Sequence, residues 1–124
     1  MKQQQSTQNT QQTVTILNEV QTADIWILPD TEENKKTTLW GSATASQLPA
    51  GESREVGLCE AGENGCYLLR MIDTESFYYA AGGITLNPGD TLVVQGEVLQ
   101  SVTATVKDAG GSTVKTYEVF SARL

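Results

Sequence analysis

Few side chains in this 124-residue chain are of a type that does chemistry, and their spacing narrows the options. There is no histidine. The group most used for proton transfer near neutral pH is therefore missing. Ser-His-Asp and Cys-His catalysis go with it, as do the imidazole ligands of zinc and blue-copper sites. The two cysteines, Cys59 and Cys66, are separated by Glu-Ala-Gly-Glu-Asn-Gly. Two thiolates without histidine are too few soft ligands for a metal. Gly62 and Asn64-Gly65 in that link predict a hairpin loop. Cysteines at the mouth of a hairpin come within disulfide range. Such a bridge would contribute about 2–3 kcal/mol and would imply an oxidising compartment. The competing reading is a pair of free thiols in a cytosolic protein.

Carboxylates gather in two places. Asp30, Glu32, Glu33 and Asn34 fall in one loop, and Asp73 and Glu75 in another. A calcium ion would need several such oxygens to converge. The spacing is not that of an EF-hand, and a solvated charged loop balanced by Lys35 and Lys36 is the preferred reading. Asp73 and Glu75, two apart, could point the same way as a glycosidase pair does; short acidic turns have the same composition. Gly82-Gly83 and Gly110-Gly111 lack the strand-to-helix setting of a phosphate loop. No cofactor and no enzymatic activity are predicted. Trp40, Tyr78 and Tyr79 lie near loops or on short strands and could form a platform on which sugar rings stack. The preferred reading, however, is that Trp26 and Trp40 fill the core between sheets, as large rings usually do.

Net charge is −7, and of the eight basic residues only Lys35 and Lys36 are adjacent. Nucleic acid is excluded as a partner, because its affinity rests on Lys and Arg neutralising phosphates. Anionic membrane surfaces are disfavoured on the same ground, and no apolar run approaches the roughly 20 residues of a membrane span. The length suits one domain.

These residues must be positioned by strands. Leu48-Pro49-Ala50-Gly51-Glu52-Ser53 and Leu86-Asn87-Pro88-Gly89-Asp90-Thr91 are matching corner phrases, each with a proline, a glycine, an acid and a hydroxyl residue. Thr13 to Val20, Asp24 to Leu28, Arg54 to Cys59, Cys66 to Asp73, Phe77 to Ala80, Thr91 to Val98, Val102 to Lys107 and Thr113 to Phe120 read as strands. Leu39-Trp40-Gly41 reads as a short strand or a turn. Ser42 to Gln47 is ambiguous, with room for one helical turn, and Gly82-Gly83 reads as a break. Tyr67, Leu69 and Met71 share one face of their strand, with Leu68, Arg70 and Ile72 on the other. Eight or nine short strands predict an all-β fold. Two packed antiparallel sheets, an Ig-like or C2-like sandwich over residues 13–124, is the expected form. A small β-barrel is the alternative. Partner strands could add to a sheet edge, with Lys115 and the Phe77 to Ala80 strand placed to guard or offer it. Residues 1–12 hold no apolar side chain beyond Met1 and are rich in glutamine. They read as a disordered tether.

In order, Val14-Thr15-Ile16-Leu17-Asn18, Asp24-Ile25-Trp26-Ile27-Leu28-Pro29, Leu39-Trp40-Gly41, the Leu48 to Ser53 corner, Tyr67-Leu68-Leu69-Arg70-Met71-Ile72-Asp73 and Ile84-Thr85-Leu86 form a recognisable series. It resembles the small β-sandwich domains of secreted proteins and lipoproteins from gut and other Gram-positive bacteria. Those carry an I-x-N strand, an I-x-x-L-x-x-S/T-P strand, a Trp-Gly loop, an L-P-x-G-E-S corner and a Y-D-I-R-x-x-D strand. The likeness spans roughly residues 13 to 95. This chain differs in its cysteine pair, in Leu68 where the family often has aspartate, and in an added C-terminal hairpin. The resemblance implies export and a sandwich fold, with no activity attached. A signal peptide trimmed from the natural N-terminus, with a lipid anchor, would account for the polar leader. The expectation is then a monomeric module, extracellular or on the cell surface, with a structural, adhesive or ligand-binding role and an unidentified protein or glycan as partner. A carbohydrate-binding module is the first alternative, and an accessory or inhibitor domain of an exported enzyme the second.

Overall fold

Strands form here because apolar side chains recur at every second position. In β1 (Thr13–Glu19), Val14, Ile16 and Asn18 are buried while their neighbours are not. The computed structural model describes residues 12–124, so the tether expected at 1–12 lies, apart from Gln12, outside the described residues. Eight further strands follow: β2 (Ala23–Pro29), β3 (Ala45–Leu48), β4 (Glu52–Gly57), β5 (Cys66–Asp73), β6 (Phe77–Thr85), β7 (Thr91–Glu97), β8 (Ser101–Lys107) and β9 (Thr113–Arg123). One short helix, α1 (Glu32–Lys36), lies between β2 and β3.

The all-β reading holds. The nine strands make a single sheet in the order β3-β2-β5-β6-β9-β8-β7-β1-β4, rolled until its edges nearly meet. This is the barrel alternative rather than two independent sheets. The physical reason is β9, whose first part pairs with β8 from Thr113 to Val119 and whose last part pairs with β6 from Phe120 to Arg123. One strand therefore joins what would otherwise be two layers. All pairings are antiparallel except β1 with β7. The seam lies between β3 and β4, where the Arg54 guanidinium donates to Ser46 O at 2.6 Å.

Both corner phrases behave as expected. Gly51 and Gly89 have φ of +87° and +90°. In each corner the amide after the glycine closes the turn, Glu52 N to Pro49 O at 3.2 Å and Asp90 N to Asn87 O at 3.0 Å. Asn18 is wholly buried and fully used: its amide nitrogen donates to Gln21 O and Leu48 O, and its carbonyl accepts from Val20 N.

Four local expectations are corrected. The strand at Phe77 does not break at Gly82-Gly83; it runs on to Thr85 through a bulge opposite Leu68, with Gly83 at φ +66°. Residues 45–48 form a strand, not a helical turn. Leu39-Trp40-Gly41 is not a strand. The Phe77 strand is no edge, since Phe77 to Ala80 pairs with both β5 and β9; the Thr113 to Val119 stretch of β9, with Lys115, pairs with β8 alone.

Candidate ligand-binding face

The residues singled out for chemistry scatter, and one group of them converges. Asp73 is buried at the end of β5. Its Oδ1 accepts from Glu75 N and Phe77 N, both at 2.9 Å, and its Oδ2 accepts from the Tyr79 hydroxyl at 2.7 Å. Glu75 is exposed in the following turn, against Gln21. The two carboxylates are not arranged as a catalytic pair; Asp73 instead organises the β5–β6 turn. Tyr79 is 0 % exposed and belongs to the core, so it leaves the expected platform. Burial first, then the bond to Asp73 and the nearby negative charge, push its hydroxyl well above the usual phenol range.

The acidic loop is α1 and its approach. Thr31 caps the helix by accepting from Asn34 N at 3.1 Å, with Glu32 and Glu33 in the first turn and Lys35 and Lys36 in the last, as the helix dipole favours. The oxygens diverge. Asp30 Oδ2 accepts from Gly83 N at 2.8 Å, and Asp30 Oδ1 and Glu32 both face Lys35. The Asn34 amide donates to Pro29 O. Those acidic partners, Glu32 before Asp30, raise the Lys35 ammonium above its ordinary value. Among the described residues no cluster of three metal-ligating acids or thiols occurs.

The cysteine hairpin is also corrected. β4 pairs with β1, whereas β5 sits between β2 and β6, so the segments flanking the two cysteines are not a hairpin pair. Both thiols are free. Cys59 Sγ lies 3.7 Å from Ile27 O, and Cys66 Sγ lies 3.5 Å from Asn64 O and 4.0 Å from the Thr85 hydroxyl. Partial burial raises the Cys59 thiol pKa. The loop between them folds back on Asp30, whose backbone bonds to Cys66 O and Glu63 N.

Residues 30–44 leave β2 and cross the outside of the sheet as a strap. Trp26, on the outer face of β2, donates its indole N–H to Gly41 O at 3.1 Å, and Trp40 donates to Thr37 O at 3.0 Å. Trp40 packs edge-on against Trp26 with ring centres 5.1 Å apart, and lies nearly parallel to Tyr78 at 6.1 Å. Of the three expected platform residues, Trp40 and Tyr78 are thus brought together outside the core. They line a cleft of about 340 Å³ with Lys36, Thr37, Thr38 and Leu124. Lys35 lines this cleft and an adjoining one of about 290 Å³, whose wall includes Leu68, Arg70, Ala80 and Gly82. A third cleft, of about 350 Å³, lies by Leu99, Thr103, Glu118 and Phe120 and has no facing pair of rings.

Sequence reasoning missed Trp26 and Arg70 as parts of this face. The signal was alternation: Ile25 and Ile27 point in, so Trp26 points out, and Arg70 lies opposite Trp26 in the register of β2 and β5. Among the described residues no helix is long and apolar enough to cross a membrane. Compared with protein-family models, with curated proteins and with solved structures, the chain finds no match.

Proposed function

We propose that this protein is a non-catalytic extracellular or cell-surface module that binds a saccharide on the outer face of β2, β5 and β6. The observation that carries the reading is the pair Trp40 and Tyr78, nearly parallel at 6.1 Å and facing a cleft beside the hydroxyls of Thr37 and Thr38. Rings offer sugars a flat apolar surface, while hydroxyls and amines bond the rim. The rings are half-buried and Trp40 is held edge-on by Trp26, so little order has to be acquired on binding. The lack of histidine and the separation of Asp73 from Glu75 support a binding role over a catalytic one. Export is the part of this reading supported by the family resemblance alone, and a lipid anchor on the natural N-terminus is supported by the polar leader.

A glycan array followed by titration with the strongest hit tests it. Trp40→Ala and Tyr78→Ala are each expected to weaken binding at least about tenfold, equivalent to about 1.4 kcal/mol. Tyr79→Phe, inside the barrel, serves as the control that leaves the face intact. Absence of binding to every glycan would remove the reading.

A further inference from the structure

We propose that the saccharide carries a carboxylate, as a uronic acid does, and that Arg70, assisted by Lys35, receives it in the cleft next to Trp40 and Tyr78. This rests on the saccharide reading of the same face.

Arg70 is only 8 % exposed. Its Nη1 donates to two neutral carbonyls, Leu69 O at 2.9 Å and Ala81 O at 3.3 Å. No carboxylate lies within ion-pair distance of it among the described residues, and its Nε and Nη2 have no protein acceptor there. A buried cation without a counter-charge is costly. The guanidinium fork matches a carboxylate through two parallel hydrogen bonds. Arg70 lines the cleft of about 290 Å³, where the wall opposite is low because residues 80 to 82 are Ala80, Ala81 and Gly82. Lys35 stands between this cleft and the aromatic one. It is already shared by Asp30 and Glu32, which leaves Arg70 as the principal cation.

The register sets the spacing. Tyr78 lies opposite Ile72, and Ala80 lies opposite Arg70. Arg70 and Ile72 are two residues apart on one face, or about 7 Å along the strand. A sugar ring resting on Trp40 and Tyr78 could therefore direct a ring carboxylate toward Arg70. The protein as a whole is acidic, so the attraction must be local; at 0.15 M salt charges beyond about 8 Å are largely screened.

The test uses three trisaccharide probes on the whole chain: an oligogalacturonate, its methyl ester and the neutral galactose trimer. Calorimetry is expected to give at least tenfold tighter binding for the acid than for the ester. Arg70→Gln, its folding checked by thermal melting, should bring the acid down to the ester's level. The Nε resonance of Arg70 in the unsubstituted protein should shift with the acid and not with the ester, a readout that survives a failure of the variant to fold. Equal binding of acid and ester, with no shift at Arg70, overturns this inference and leaves the aromatic platform standing. Binding of none of the three overturns both. A shift on adding a peptide with a free C-terminal carboxylate, but none with the uronate, overturns the glycan assignment.

Discussion

The hydroxyl of Tyr79 donates to the Asp73 carboxylate at 2.7 Å inside the barrel. The same carboxylate also receives the amides of Glu75 and Phe77, so one buried side chain ties the end of β5 to the start of β6. Removing only the phenol leaves one oxygen unsatisfied. Removing the carboxylate leaves three donors without an acceptor. Tyr79→Phe is expected to cost about 1.5 kcal/mol and Asp73→Ala about 3 kcal/mol or more. Urea unfolding of the two variants checks the order.

Alkali should unfold the protein through the same tyrosine. Its folded pKa is raised above the ordinary phenol value, so the contribution to stability is complete below about pH 10 and is lost as pH climbs toward the folded value. Tyr67 is shifted in the same direction, chiefly by burial. Tyr67 and Tyr79 should thus ionise late in an absorbance titration, appearing only as the fold opens. Tyr79→Phe should flatten the alkaline fall in melting temperature.

Gly62 touches the strap's origin. A methyl group there would run into the backbone N, C and O of Asp30. That backbone is itself fixed by hydrogen bonds to Cys66 O and Glu63 N, so it cannot easily yield. Gly62→Ala is expected to lose about 1–3 kcal/mol. A lower urea midpoint with unchanged slope would be the signature.

The cysteines give a chemical prediction. Both should alkylate in the unreduced native protein, as two separate thiols. Cys59 should react slowly at neutral pH, since its raised pKa keeps the thiolate scarce. Cys59→Ser should change stability by less than about 0.5 kcal/mol. An intact mass lower by two hydrogens before reduction would contradict this.

Much of the fold could be read from the chain, and the failures have physical causes. β5 has the bounds expected of it, Cys66 to Asp73, because its two faces alternate and a turn signal bounds it. The proline-glycine corners are visible because few residues adopt their backbone angles. The phase of Phe77-Tyr78-Tyr79-Ala80 is hidden, since no polar residue marks which side meets water; that is why the sequence suggests both tyrosines for a face that only Tyr78 occupies. The cysteine loop announces a turn but carries no information about which strand lies alongside. The parallel pairing of β1 with β7, Thr15 against Thr91, joins residues far apart in sequence and leaves no local trace. Alternation sets Arg70 on the face opposite Tyr67, Leu69 and Met71, without saying which of the two faces meets the core. That Arg70 has no counter-ion became apparent only once its neighbours were in place.

β9 has one more implication. Because its first stretch is laced to β8 and its last to β6, loosening either wall slackens the strand that fastens the other. The two halves should therefore lose amide protection together, in one cooperative step, despite the gap between β3 and β4. The seam can breathe without the barrel coming apart, and the aromatic strap rides on the wall that β9 holds shut.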